Sequence, residues 1–168
     1  MTRKAIECPD PVIIFEPKRR YWLKGEVDFT DTSFDPFSAQ VLREGSDATI
    51  VAYGPLVPVA LAAAEAAVED GRSIEVIDLR SISPMDVPTV AASVVKTGRL
   101  VIAHEAPTFG GMGGELAAAI TERCFYSLQA PVIRVGGYYM PYPVSRVEEE
   151  YVPDIDRILE AVDRAFEY

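Results

Sequence analysis

Residues 99–120 read Arg-Leu-Val-Ile-Ala-His-Glu-Ala-Pro-Thr-Phe-Gly-Gly-Met-Gly-Gly-Glu-Leu-Ala-Ala-Ala-Ile. The apolar run Leu100 to Ala103 predicts a buried strand that ends in His104 and Glu105. A turn with Gly110, Gly111, Gly113 and Gly114 follows, and then an alanine-rich helix. Strand, glycine turn and helix make the repeating step of an open α/β sheet, in which function gathers where strand ends meet helix starts. Glycines there let backbone N–H groups come close to a ligand or to another element. The segment sets the fold class and marks the edge where a site would lie, without naming a reaction.

The same step recurs on either side. Thr49 to Ala52 predicts a strand closed by Gly54-Pro55. Leu56, Val59, Ala60, Ala63 and Ala67 then stripe a helix stopped by Gly71. Ile74 to Leu79 is the next strand, and Val87, Val90, Ala91, Val94 and Val95 stripe a helix ended by Gly98. Leu116, Ala119, Ile120 and Cys124 line the helix after the glycine turn, and Val132 to Val135 is a further strand. Ile155, Ile158, Leu159, Val162 and Phe166 stripe a last helix behind an Asp154 N-cap. Such alternation implies right-handed crossovers and a mainly parallel sheet with helices on both faces. With Leu42 and its neighbours as an edge strand, the expectation is a three-layer α/β/α fold on a five-stranded sheet.

The first part of the chain is different. Val12 to Phe15, between Pro11 and Pro17, predicts a strand. Residues 18–37 mix charge, aromatics and turn formers without a period and read as a linker between two units.

The totals exclude several classes. The chain has 168 residues, 49% hydrophobic and 25% charged, which suits one globular domain. Its net charge of -10 argues against nucleic acid and against an anionic membrane surface, leaving basic proteins and small ligands. No apolar run spans a bilayer, and the start lacks a signal peptide's apolar centre. Cys8 and Cys124 lie far apart, so a disulfide framework is not expected. The reading is a soluble intracellular protein.

Each candidate site has a plainer alternative. The turn at 110–114 is neither the dinucleotide fingerprint nor a P-loop, and Glu115 would oppose an anion there, so close packing or a subunit contact is favoured. His104 is the sole histidine. Without a nucleophile or ligand cluster in view it reads as a buried, hydrogen-bonded residue rather than an acid–base catalyst. Cys124 reads as core, Lys18 to Arg20 as an ion-pairing cluster, and Glu148 to Glu150 as a solvated face. The loop Gly136 to Pro143, rich in Tyr, Met and Pro, reads as an interface.

Several short strings stand together in order: Phe-Glu-Pro-Lys (15–18), Glu-Val-Ile-Asp-Leu-Arg (75–80), Ser-Pro-Met-Asp (83–86), Lys-Thr-Gly-Arg-Leu (96–100), His-Glu-Ala (104–106), Gly-Gly-Met-Gly-Gly-Glu (110–115) and Ala-Pro-Val-Ile-Arg-Val (130–135). Jointly they resemble the carboxyl-terminal half of the beta subunit of thiamine-diphosphate-dependent 2-oxo acid dehydrogenases. Glu-Pro-Lys-Arg-Arg-Tyr-Trp (16–22) leans toward the branched-chain type rather than the pyruvate type. The resemblance implies that residues 1–18 hold the last strand of a pyrimidine-binding domain. It makes 19–38 a linker and 39–168 a transketolase-type carboxyl-terminal domain. Thiamine diphosphate and magnesium would belong to the full enzyme and not to this chain, which then has no catalytic or cofactor-binding residue of its own.

The resemblance further implies a partial potassium site at Ala5, Cys8 and Asp10. It implies contacts with an alpha subunit and a second beta subunit in a heterotetramer. It also implies a dock for the acyltransferase's basic subunit-binding domain at Gln129 and Tyr168, where Gln129 replaces an acidic residue. His104, Glu105 and the glycines at 110, 111, 113 and 114 stay as a site or interface edge. The compartment implied is the bacterial cytoplasm, or the mitochondrial matrix in a eukaryote. The rival reading is a stand-alone module that binds a small anion or nucleotide at the glycine turn.

Overall fold

A computed structural model describes residues 2–22, 24–26 and 35–168. Five strands form: β1 (Gln40–Arg43), β2 (Ala48–Ala52), β3 (Ile74–Asp78), β4 (Leu100–Pro107) and β5 (Ile133–Gly137). They make one sheet in the order β1-β3-β2-β4-β5. β2, β3, β4 and β5 are parallel, and β1 closes one edge antiparallel to β3. β2 lies at the centre, with Ile50 opposite Val76 on one side and Val101 on the other. All five of its residues are buried, as expected for a strand covered on both faces.

The helices are α1 (Thr2–Glu7), α2 (Val57–Ala66), α3 (Val87–Thr97), α4 (Gly113–Cys124), α5 (Glu148–Tyr151) and α6 (Ile155–Phe166). α2 and α6 cover one face of the sheet, packing Leu56, Ala60, Ala63, Val162 and Ala165 against Ile50, Ile74 and Val135. α3 and α4 cover the other, with Val90, Val94, Leu116 and Ile120 on Val51, Ile77 and Ile102. The three-layer α/β/α fold expected from the alternation is therefore present. No helix among the described residues is long and apolar enough to cross a membrane.

Local chemistry fixes the helix ends. The Asp86 carboxylate caps α3 by accepting the Thr89 N–H at 3.1 Å, and it also accepts the Ala39 N–H at 2.9 Å. One side chain thus starts α3 and anchors the entry to β1. Gly98 ends α3 at φ 73°, where a left-handed residue lets its N–H reach the Val94 carbonyl at 2.8 Å. Asp154 caps α6 through the Arg157 N–H at 2.8 Å, as the sequence implied.

Some expectations are corrected. Val12 to Phe15 is not a strand: residues 11–17 carry no regular structure, with Ile13 79% and Phe15 82% exposed. Residues 2–7 ahead of them are helical. The run has the apolar content of a strand, but none of the sheet's described strands pairs with it, and a lone extended segment gains neither ladder bonds nor burial. α2 ends at Ala66, a turn before Gly71, because the N–H groups of residues 68–71 each bond three residues back and tighten the chain. On α3, Val95 is 61% exposed, and Ser93 and Thr97 take the buried face instead. Their hydroxyls meet Thr49 of β2, with Thr49 Oγ1 2.6 Å from Ser93 Oγ and 2.7 Å from Thr97 Oγ1. Much of the expected linker, residues 27–34, lies outside the described residues, as does the side chain of Arg19.

Candidate functional site

In a doubly wound sheet the crevice opens where successive crossovers leave in opposite directions. Here β3 lies on one side of β2 and β4 on the other, so that point falls between the carboxyl ends of β2 and β4. Tyr53 follows β2 and His104 sits within β4. Their rings stack at 5.9 Å between centroids.

His104 is wholly buried. Its Nδ1 lies 2.8 Å from the Ala106 carbonyl oxygen, which can only accept, so Nδ1 carries the proton. Nε2 then holds a lone pair, and it has no hydrogen-bond partner. The glycines explain why nothing reaches it. A Cβ on Gly113 would stand 2.4 Å from Nε2, and one on Gly111 2.8 Å from Cε1 and 2.4 Å from the Pro107 carbonyl. Gly136 of β5 closes the third side, 3.1 Å from Cε1 by the same measure. Two stretches of backbone therefore crowd the imidazole, and at Gly111 and Gly113 the approach is closer than a side chain would permit. Burial pushes the His104 pKa below the ordinary histidine value, and the Arg134 guanidinium adds to the shift. Burial likewise raises Tyr53 and Asp78 above their ordinary values. His104 is the buried, hydrogen-bonded residue the sequence favoured. The glycine turn serves that packing: Gly110, at φ 72°, turns the chain, while Gly111 and Gly113 wall the ring.

Beyond this closed centre the surface is aromatic. Phe109, Tyr138, Tyr139, Met140, Tyr142 and Val144 are each more than half exposed. Phe109 and Tyr139 meet edge to face at 4.9 Å. Tyr142 packs on the buried Tyr151 at 5.0 Å. Glu105, the other half of the His-Glu pair, is half-buried on the same strand.

The remaining predicted positions lie elsewhere. Gln129 is exposed, and its Oε1 accepts from Arg99 Nη1 at 2.6 Å. Arg99 Nε donates to the Ala165 carbonyl at 3.0 Å, and its guanidinium covers the Phe166 ring at 4.5 Å. Arg72 covers the same ring at 4.6 Å and pairs with Asp163. Gln129 and the end of α6 thus share one edge through Arg99, with Tyr168 75% exposed beyond it. Ala5 lies in α1, where its carbonyl accepts the Cys8 N–H at 3.4 Å, and Asp10 is exposed. Arg20 donates to the Pro55 carbonyl, fastening the arm to the start of α2. Both cysteines are free, and Cys124 is buried. Among the described residues no three His, Cys, Asp or Glu side chains gather as a metal site would require.

The sequence profile of the transketolase C-terminal domain matches residues 38–158. The chain belongs to that family. Over all 168 residues it is 54% identical to the pyruvate dehydrogenase E1 component subunit beta of Leifsonia xyli, of which it covers 50%. Over 165 residues it is 48% identical to the 3-methyl-2-oxobutanoate dehydrogenase subunit beta of Mycobacterium tuberculosis, covering 47% of it. Over 166 residues it is 46% identical to the mitochondrial 2-oxoisovalerate dehydrogenase subunit beta of Dictyostelium discoideum. The chain spans about half the length of these relatives and corresponds to their carboxyl-terminal half. A solved structure described as a split gene transketolase, inactive beta4 tetramer, superposes with a TM-score of 0.69 at 31% identity, covering 85% of this chain and 46% of that one.

Sequence reasoning missed two features of this transketolase C-terminal domain. The hydroxyl cluster of Thr49, Ser93 and Thr97 was hidden because valines compete with it for the same helical stripe. The link from Gln129 through Arg99 to α6 joins residues 66 positions apart, from Arg99 to Ala165, and carries no local signal.

Proposed function

We propose that this chain is the carboxyl-terminal part of the beta subunit of a 2-oxo acid dehydrogenase, and that its domain serves assembly of that enzyme. The observation that carries the reading is the 54% identity sustained from the first residue to the last against such a subunit. The full protein would decarboxylate a 2-oxo acid on thiamine diphosphate with magnesium and pass the acyl group to a lipoyl-lysine. Relatives named for pyruvate and for branched-chain 2-oxo acids match alike, so the choice of 2-oxo acid rests on residues outside this half. The buried histidine offers that cofactor no contact. His104 has Nδ1 committed to Ala106 and Nε2 walled by Gly113, so it reaches nothing beyond the fold.

The division proposed is residues 1–18 from the pyrimidine-binding domain, 19–38 as linker and 39–168 as the carboxyl-terminal domain. The exposure of Ile13 and Phe15 supports it, because an apolar run outside its own sheet suits a partner domain. The aromatic edge at Phe109 and Tyr138 to Val144 is proposed to meet an alpha subunit or the second beta subunit. The acyltransferase's basic subunit-binding domain is proposed to dock at Gln129 and Tyr168. Arg99 beside Gln129 weakens that edge for a basic partner, and Gln129→Glu should tighten it. A potassium ion at Ala5, Cys8 and Asp10 would draw the rest of its oxygens from outside the chain, and the Ala5 carbonyl it would share already accepts the Cys8 N–H.

The test is reconstitution. The chain is assayed with 2-oxo acid, thiamine diphosphate, magnesium and an artificial electron acceptor. It is measured first alone, then with an alpha subunit and the amino-terminal half of a related beta subunit. No turnover alone and turnover after mixing is the expected result. Turnover by the chain alone, or failure to bind either partner, would overturn the proposal.

A further inference from the structure

A cleft of about 310 Å³ opens beside β5, lined by Thr108, Arg134, Tyr138, Tyr139, Arg157, Glu160 and Arg164. We infer that this cleft binds a small molecule bearing a phosphate or a cluster of carboxylates. Tyr138 and Tyr139 on its rim also belong to the aromatic edge proposed above to meet a partner subunit, so the inference concerns the chain free of that subunit.

Three arginines border one small cavity in a chain whose net charge is -10. Arg157 and Arg164 stand seven apart on α6, hence on one face of that helix, and Arg134 comes from β5 at the sheet's edge. Among the described residues none of the three guanidinium groups makes a salt bridge. The fold spends Arg157 on its own backbone: it donates to the carbonyls of Tyr151 and Gly136 and covers the Tyr138 ring at 4.6 Å. Arg134 gives one nitrogen to the Thr108 carbonyl at 3.0 Å, which leaves its other N–H groups to donate elsewhere. Arg164 is exposed and has no partner among the described residues. Glu160 is the single acidic side chain on the rim, so the cleft keeps an excess of two positive charges.

Arg134 reaches the cleft from the α4 side of the edge strand, beside Thr108 and Gly114, and Arg157 and Arg164 reach it from the α6 side, so an anion spanning that edge would accept N–H groups from both sides. Thr108 and the two tyrosines add hydroxyls that can donate to the same oxygens. The cleft runs along β5 from Arg134 to Gly137 and meets the chain just beyond β4 at Thr108. Its volume is at the small end of ligand sites, which fits a compact anion rather than a dinucleotide. The glycines at 110–114 do not line it, although Gly114 adjoins Arg134, whose Nη1 would lie 3.3 Å from a Cβ placed there.

The experiment is calorimetric titration of the native protein at constant ionic strength with three probes: inorganic phosphate, pyrophosphate and citrate. Arg164→Gln and Arg134→Gln are the test variants, and Arg123→Gln, on α4 away from the cleft, is the charge control. Arg157 is left alone because it holds the backbone. The expected result is saturable binding of at least one probe, weakened about tenfold in either test variant and unchanged in the control. Binding of phosphate or pyrophosphate without citrate would identify a phosphate ligand, and the reverse a carboxylate one. No saturable binding, or equal losses in all three variants, would overturn the proposal. So would absence of binding together with weaker subunit association in the test variants, which would assign the arginines to a protein acid group instead.

Discussion

Two apolar runs of four residues, Val12–Phe15 and Leu100–Ala103, have nearly the same chemistry and opposite fates. The second lies between β2 and β5, with every residue fully buried. The first leaves Ile13 and Phe15 about four-fifths exposed. A β-prone run becomes a strand when a ladder and a covering layer receive it, and the described sheet gives Val12–Phe15 neither. Apolar content measures what a segment gains by burial. Whether burial is on offer is a property of its neighbours.

The widest contrast comes from truncating one residue in each run. Ile102→Ala should cost about 3–4 kcal/mol, since it opens a cavity between β4 and the α3–α4 layer. Ile13→Ala should change stability by less than about 0.5 kcal/mol. Urea unfolding of both variants checks this. An equal loss in both would mean the arm is part of the cooperative core.

Gly113→Ala moves the comparison to the His104 pocket. Its methyl group would meet Nε2 and Cδ2 of a ring that cannot retreat, because Gly111 and Gly136 crowd its other edge. A loss of about 2 kcal/mol is expected. In a His104→Ala background the same change should cost about 1 kcal/mol less, a coupling that a double-mutant cycle would measure.

Acid should act on the same pocket. The native His104 pKa lies below the unfolded one, so between those two values the unfolded chain binds the extra proton. Stability should therefore fall as pH drops below about 6.5, by at most about 1.4 kcal/mol per pH unit, until the native value is reached. His104→Gln should flatten that slope in denaturant titrations between pH 7.5 and 5.5. Asp47, held below the usual carboxylate range by the Ser73 N–H and the Ser46 hydroxyl, loses its contribution only at more acid pH.

The smallest effect expected comes from the hydroxyl cluster. Thr97→Val removes the bonds to Thr49 and to the Ser93 carbonyl, yet leaves the shape intact and Thr49 still paired with Ser93. A loss of about 1 kcal/mol in thermal or urea unfolding is expected.

The four parallel strands and the helices between them were legible because period and punctuation agree along residues 48–166. Alternating apolar runs, Asp86 and Asp154 as caps, and Gly98 as a stop all point the same way. His104 was legible as a buried residue because it continues an apolar strand. Its glycine walls were not, since Gly111, Gly113 and Gly136 meet around the ring from two separate turns of chain. The arginine cleft was hidden for the same reason: Arg134 and Arg164 are thirty positions apart and come to border one cleft only when α6 packs beside β5. The sequence by itself determined the layered α/β fold and the family resemblance, because both rest on short-range pattern. Only the tertiary structure decided that Val12–Phe15 goes unpaired, that Ser93 and Thr97 displace Val95 from the buried face, and that the glycine turn serves His104. Each of those outcomes depends on which distant backbone comes within a few ångströms, and no local propensity encodes that.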